Sequence, residues 1–200
     1  MLKGNKYILI ASLLISVSCH ASDSVWKQSH DLEKLGDYEK AAAIIKPWAA
    51  SNDEYALLRY AHLKYLQGDH NESIEYYKKA IKLNPKSLSA KTGLALPYIA
   101  QGRWRQVIIP SRQVIVKSDW DSTAHGQLMM AEEAEKKWHT LGRHAENLVK
   151  RYPDDATFYA YLARARAKQG NTSIAVNAYE KVLHRSPDDV EAITFLKENK

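Results

Sequence analysis

The chain has 200 residues, of which 45% are hydrophobic and 26% charged, with 8 Gly, 6 Pro and a single Cys. This composition excludes collagen-like, low-complexity and wholly disordered chains, and one cysteine cannot form an internal disulfide or a cysteine-rich zinc site. The net charge of +6 is compatible with nucleic-acid binding, which depends on how that charge is distributed along the chain.

Residues 1–21 have the features of an export signal peptide. Two lysines precede an uncharged run, Tyr7–Val17, which is shorter than the roughly 20 residues needed to span a bilayer. Cleavage after Ala21 would release a soluble exported protein, and lipidation of Cys19 would anchor it as in bacterial lipoproteins. An uncleaved hydrophobic anchor is the third alternative. Loss of the two lysines reduces the net charge from +6 to +4.

From about residue 22 the sequence repeats with a period of 34 residues. Positions are counted from the first residue of a pair of turn residues. Small or apolar residues recur seven positions before it and five and twelve positions after it, and Pro or Asp recurs seventeen positions after it. Such self-similarity indicates stacked units, each covering the apolar stripe of its neighbour. The pairs, spaced by 32, 34, 34 and 34 residues, are Gly36-Asp37, Gly68-Asp69, Gly102-Arg103, Lys136-Lys137 and Gly170-Asn171.

Residues 55–85 and 155–187 carry this pattern most completely. They resemble the tetratricopeptide repeat, a 34-residue helix–turn–helix unit with small residues where its helices touch and proline after its second helix. The resemblance extends over five units and is closest to the exported bacterial type. It implies an all-α fold, a right-handed α-solenoid with repeats over 22–187 and a capping helix and tail over 188–200.

Apolar residues at helical spacing predict two helices in each unit. Asn71 and Asn171 are expected to cap second helices, and Gly68 and Gly170 to end first helices. The first helices are expected near 23–35, 54–67, 88–101, 122–135 and 156–169, and the second helices near 38–50, 70–83, 104–117, 138–151 and 172–185.

Two features depart from the repeat pattern. Trp48 stands where the other units have a smaller residue, so the first unit is expected to pack irregularly. Pro47, Pro97 and Pro110 fall inside predicted helices, where each removes a hydrogen bond and should kink the axis. Because two of these prolines belong to the third unit, we expect the solenoid to bend or loosen there.

No catalytic or cofactor motif occurs in the sequence, which lacks a Gly-rich phosphate loop, a nucleophile elbow and a His-Glu-x-x-His pair. His139 and His144 are expected to be ordinary surface histidines, and Glu132, Glu133 and Glu135 to form a solvated face. We therefore expect no enzymatic activity, no cofactor and no metal. The positive charge is spread thinly over the repeats, so nucleic acid is not an expected partner.

The family resemblance implies a concave groove, lined by the first helices, that holds a peptide or a partner's helix. The variant of this groove that clamps C-terminal carboxylates has Lys, Asn and Arg at positions where this sequence does not, so that specificity is not expected. Trp26 and Tyr65 are the best binding candidates because aromatic rings offer a large contact area. The groove candidates are Trp26, His30, Leu58, His62, Tyr65, Thr92, Leu96, Ile99, Met130, Glu133, Arg164 and Lys168.

Several of these candidates have a second interpretation. The aliphatic ones and Met130 would equally serve as packing between neighbouring helices. His30 and His62 occupy the same position in adjacent units, where polar lining is expected rather than a shared metal.

The preferred function is a non-enzymatic scaffold or adaptor of the bacterial cell envelope, in pilus assembly, secretion or an envelope complex. The family analogy carries that detail, because short exported chains of this kind are similar to periplasmic or lipid-anchored adaptors. The alternatives are a periplasmic holding chaperone for an exported subunit and an accessory subunit of an envelope enzyme complex. The expected partner is a protein or peptide. A membrane is a partner only if Cys19 is lipidated, and a homodimer is left open. The expected location is periplasmic or outer-membrane-associated.

Overall fold

A computed structural model describes residues 25–199 of the chain. Residues 1–21, with Cys19, lie outside the described residues, so export and lipidation stay predictions. Within residues 25–199 every regular element is an α-helix. The helices are α1 (25–34), α2 (Tyr38–Ala50), α3 (Glu54–Gln67), α4 (His70–Leu83), α5 (Leu88–Ala100), α6 (Trp104–Ile115), α7 (Ser122–Ala134), α8 (Trp138–Arg151), α9 (Ala156–Lys168), α10 (Thr172–Leu183) and α11 (Val190–Asn199).

The helix pairs predicted from the 34-residue period are confirmed, and their ends agree to within two residues where the structure describes them. None of these helices is long and apolar enough to cross a membrane.

The repeated positions of the sequence are the contacts between helices. The residues seven before and five after each turn pair are all fully buried, so small or compact apolar side chains there set how closely the helices approach. These residues are Ser29, Ala41, Ala61, Ser73, Ala95, Val107, Met129, Leu141, Ala163 and Ala175.

The first repeat packs irregularly, as predicted. Trp48 is 38% exposed, whereas the residue at this position is buried in the other four repeats. The neighbouring Ala49 takes the inner place, so the end of α2 turns its tryptophan outward.

The chain divides into two compact units, Met1–Gln101 and Gly102–Lys200. In the first unit consecutive helices from α2 to α5 pack on each other, and α3 also contacts α5. In the second unit consecutive helices from α6 to α11 pack on each other, and α7 also contacts α9. Contact between alternate helices is the stacking that the repeat requires.

Three helices contain proline, as the sequence predicts. Pro47, Pro97 and Pro110 lie within α2, α5 and α6, each of which continues past its proline. The division between the two units falls between α5 and α6, in the third repeat. The expected bend of that repeat stays a prediction.

The predicted capping roles are confirmed for the glycines and corrected for the asparagines. Gly68 ends α3 with a φ of +87°, the left-handed conformation that glycine adopts without a Cβ clash. Gly170, with a φ of +77°, follows α9. Asn71 does not cap α4, because that helix begins at His70 and its N-cap residue is Asp69. Asn171 occupies the N-cap of α10, but its side chain makes no capping bond.

Acidic side chains and one serine cap the first helices of the later repeats instead. The Asp53 carboxylate accepts a hydrogen bond from the Ala56 N–H at 2.7 Å at the start of α3. The Asp121 carboxylate caps the start of α7 in the same way. Ser87 and Asp155 cap α5 and α9. These caps fix where each first helix begins.

Candidate functional site

Three aromatic rings meet on the surface of the first unit, at the junction of α1, α2 and α3. The Trp26 ring centre lies 5.9 Å from that of Trp48 and 5.0 Å from that of Tyr55, the latter edge to face. Tyr55 is 52% exposed, and Trp48 is also open to solvent. We call Trp26, Trp48 and Tyr55 the aromatic surface.

Local sequence explains why these rings are displayed. Tyr55 is the second residue of α3, whose start is fixed by the Asp53 cap. Trp48 faces outward because Ala49 occupies the core position of α2. A short turn containing Asn52, in the left-handed conformation at φ 59°, joins the two helices.

Beside the aromatic surface, three basic side chains lie around the carboxylate of Glu33 on α1. The buried Arg59 guanidinium donates to the Glu33 carboxylate and also to Ser29 Oγ at 3.1 Å. His62 Nε2 lies 3.5 Å from Glu33 Oε1, and His30 Nδ1 lies 3.7 Å from Oε2. Burial alone would raise the pKa of Glu33, but the hydrogen bond and charge of Arg59 hold it below the usual range.

The two histidines that share a repeat position are therefore linked through one carboxylate. His30 Nε2 also hydrogen-bonds the Tyr55 hydroxyl at 3.2 Å, which joins the polar group to the aromatic surface. Burial lowers the pKa of His62 despite the neighbouring Glu33. Among the described residues no group of three or more His, Cys, Asp or Glu side chains is arranged to hold a metal ion.

The structure brings several predicted groove residues of the first unit together. Trp26, His30 and His62 belong to the connected set above, and the Tyr65 ring lies 6.2 Å from that of His62. Leu58 packs against the hydrophobic core of this unit. Leu96 and Ile99 are half-buried on α5.

The other predicted groove residues lie in the second unit. Met130 is exposed on α7. Arg164 donates to both carboxylate oxygens of Glu133, and to Glu191 at 3.0 Å, while its guanidinium stacks on the Tyr161 ring at 4.6 Å. Glu133 and Arg164 are thus already engaged with each other.

The expected solvated acidic face on α7 is wrong. Glu132 is only 4% exposed, Glu133 pairs with Arg164, and the Glu135 carboxylate pairs with Lys137. The reason is geometric: α7 packs on α6, α8 and α9, so neighbouring positions, about 100° apart around the helix, face different partners.

The expectation that His144 is an ordinary surface histidine is also wrong. Its Nδ1 lies 2.9 Å from Glu132 Oε2, and its Nε2 lies 2.8 Å from His125 Nδ1. His125 Nε2 in turn lies 2.8 Å from the backbone oxygen of Asp119. Burial lowers the pKa of His125 by more than its bond to Asp119 raises it, which favours a neutral ring.

Hydrogen bonds connect His125, His144 and Glu132, which we call the histidine–glutamate cluster. The contacts of the cluster use both ring nitrogens of each of the two histidines.

Sequence reasoning missed Glu33, Arg59 and the histidine–glutamate cluster. His125 and Glu132 are seven residues apart, so both lie on one face of α7, and this spacing was the available signal. Nothing local in the sequence places His144 of the next helix opposite them.

The comparisons with known proteins agree with this architecture. Tetratricopeptide repeat models match residues 55–87 and 143–190. A TPR repeat-containing protein of Methanocaldococcus jannaschii is 24% identical over 98% of this chain, which spans 37% of that protein's length. Residues 55–87 and 143–190 are thus tetratricopeptide repeats.

Solved structures show the same fold. MamA from Desulfovibrio magneticus RS-1 has a TM-score of 0.75 at 16% identity, over 84% of this chain and 96% of its own. YrrB, a TPR protein with an unusual peptide-binding site, has a TM-score of 0.73 at 14% identity, over 86% and 90%. A tetratricopeptide repeat protein from Parabacteroides merdae reaches 0.77 at 12% identity, over 88% and 71%. The predicted all-α repeat fold is confirmed.

Proposed function

We propose that this chain is a non-enzymatic protein-interaction scaffold whose aromatic surface binds a peptide or helix of a partner protein. The observation that carries the proposal is that the Trp26 ring packs against both Trp48 and Tyr55 while Trp48 and Tyr55 remain exposed. Clustered, partly exposed aromatic side chains bury much area on binding and lose little side-chain entropy, which is why they dominate protein interfaces.

The chemistry beside the rings adds polar anchoring points. His30 and His62 flank the Glu33 carboxylate, so a bound segment meets hydrogen-bonding groups next to an apolar contact. Interfaces commonly combine a hydrophobic centre with such a polar rim. The likeness to YrrB, a TPR protein with an unusual peptide-binding site, supports a peptide as the partner.

We further propose that the scaffold acts in the bacterial cell envelope, in pilus assembly, secretion or another envelope complex. The signal-like residues 1–21 support export. The intact mass of the protein from its native host tests this directly. A chain beginning at Ser22 means soluble export, and one beginning at an acylated Cys19 means a lipoprotein. An unprocessed chain in the cytoplasm would contradict export.

The binding proposal is tested by photocrosslinking in the native host. A benzoylphenylalanine replaces Tyr55 in one strain, and in the control strain it replaces Leu83, an exposed residue of the same unit outside the aromatic surface. We expect a discrete crosslinked protein from position 55 only. Equal crosslinking from both positions would contradict the proposal, and a ladder of unfolded clients would favour the holding chaperone.

A further inference from the structure

The second unit contains a cleft that the aromatic surface does not involve. It lies between α6, α7 and α8 and has a volume of about 490 Å³. Arg112, Ile115 and Val116 line it from α6 and the residue after it, and Arg143 and His144 line it from α8. The cleft is thus built largely from second helices of the repeats, not from the first-helix positions of the expected groove.

Both arginines of the cleft have guanidinium groups available for a ligand. Within residues 25–199 neither the Arg112 nor the Arg143 guanidinium group forms a hydrogen bond or an ion pair. Other arginines of this unit are engaged, as Arg166 is with Glu146 and Arg185 with the Pro153 carbonyl. Arginine pairs with carboxylates through two parallel hydrogen bonds, so two free guanidinium groups at one cleft favour an acidic ligand.

The single acidic residue that lines the cleft is already engaged by a neighbouring side chain. Glu132 is buried in the floor, where its carboxylate oxygen lies 2.9 Å from His144 Nδ1. The two arginines outnumber this one carboxylate among the residues that line the cleft. Thr140 and Asn147 add uncharged hydrogen-bonding groups.

The remaining wall of the cleft is apolar. Val116 is 75% exposed, and Ile115 and Leu128 lie beside it. An exposed aliphatic side chain next to unpaired arginines favours a ligand with both acidic and aliphatic groups.

We propose that this cleft binds an acidic, aliphatic segment of a partner protein. Its carboxylates pair with Arg112 and Arg143, and its aliphatic side chains pack on Ile115, Val116 and Leu128. The site goes beyond the binding proposed for the first unit and stands independently of it.

The test is fluorescence anisotropy with the full chain and a labelled peptide of sequence GELEELEG. We expect binding with a Kd of about 10–100 μM, typical of a short peptide in a small site. Arg112→Ala with Arg143→Ala should raise that Kd at least about tenfold through loss of charge-assisted hydrogen bonds. Val116→Ser should weaken binding about two- to fivefold through loss of apolar contact.

Matched controls separate the site from general charge attraction. Lys117→Ala with Lys150→Ala removes the same charge from exposed residues of this unit outside the cleft and should change the Kd less than about twofold. Trp48→Ala with Tyr55→Ala should leave it unchanged, which distinguishes this site from the aromatic surface.

Four results would overturn the proposal. They are absence of binding to GELEELEG, equal binding of the neutral peptide GQLQQLQG, equal binding of an oligothymidine of the same charge, and equal losses from the arginine and lysine double variants. Circular dichroism of each variant ensures that lost binding is not lost folding.

Discussion

Gly93 of α5 shows how closely the first unit is packed. A Cβ atom at this position would overlap the ring of the buried Tyr77, at Cε1 and Cζ. We therefore predict that Gly93→Ala lowers the free energy of unfolding by about 1–3 kcal/mol, the usual cost of overpacking a core. Urea denaturation measures the change.

The control for that substitution is a second helical glycine, Gly126 of α7. A Cβ there would have no heavy atom within 4 Å, so Gly126→Ala should raise the free energy of unfolding by about 1 kcal/mol through helix propensity. A Gly93→Ala variant as stable as the wild type would contradict the packing described.

His125 makes the folded protein less stable at acidic pH. Because its pKa is lowered in the folded chain, the unfolded chain binds its proton more readily, and the folded state loses stability as pH falls below about 6.5. We predict that the urea midpoint decreases between pH 7.5 and 5.5 and that this decrease is smaller in His125→Gln. His139→Gln, at an exposed residue, should leave the decrease unchanged. The same decrease in all three proteins would refute this role for His125.

At the scale of single residues, the sequence predicts which residues suit an interface better than it predicts which residues contact one another. Trp26 and Tyr65 could be chosen because aromatic side chains suit interfaces, and they do lie near other rings. His144 was misjudged because its partners come from α7, twelve and nineteen residues away, and a helical periodicity describes only one helix at a time.

At the scale of the element, the Asp53 cap determines where α3 begins. Its carboxylate accepts a hydrogen bond from the Ala56 N–H, and removal of such a cap typically lowers the free energy of unfolding by about 1 kcal/mol. We predict that Asp53→Ala lowers the free energy of unfolding by about that amount and increases amide hydrogen exchange in the first turn of α3.

Asn171 supplies the matched control, because it occupies an N-cap without a side-chain capping bond. Asn171→Ala should change the free energy of unfolding by less than about 0.5 kcal/mol. Equal effects of the two substitutions would mean that the Asp53 bond contributes nothing.

Helix ends were predictable because the repeat places glycine, proline and capping residues at fixed distances. The expectation for Asn71 failed because α4 begins beside Asp69, so Asn71 lies within the helix and accepts from Gln101 instead. The sequence predicts an irregularity at Trp48 but not its outward orientation, because it does not indicate which neighbouring residue takes the buried position.

At the scale of the whole molecule, a repeat fold is among the most predictable from one sequence. Each repeat meets the same contacts, so five weak signals in register add up to a strong one. The proposed binding surfaces are less predictable, because they use residues where the repeats differ. Glu33 and Arg112 are examples: each acquires its role from side chains of a neighbouring helix.

The central claim, that the aromatic surface binds a partner, is tested most directly by the affinity of the protein crosslinked at position 55. Titration calorimetry with the purified chain should give a Kd that rises at least about tenfold, or about 1.4 kcal/mol, in Trp48→Ala with Tyr55→Ala. Leu83→Ala should leave it within about twofold. An unchanged Kd in the folded double variant would contradict the claim.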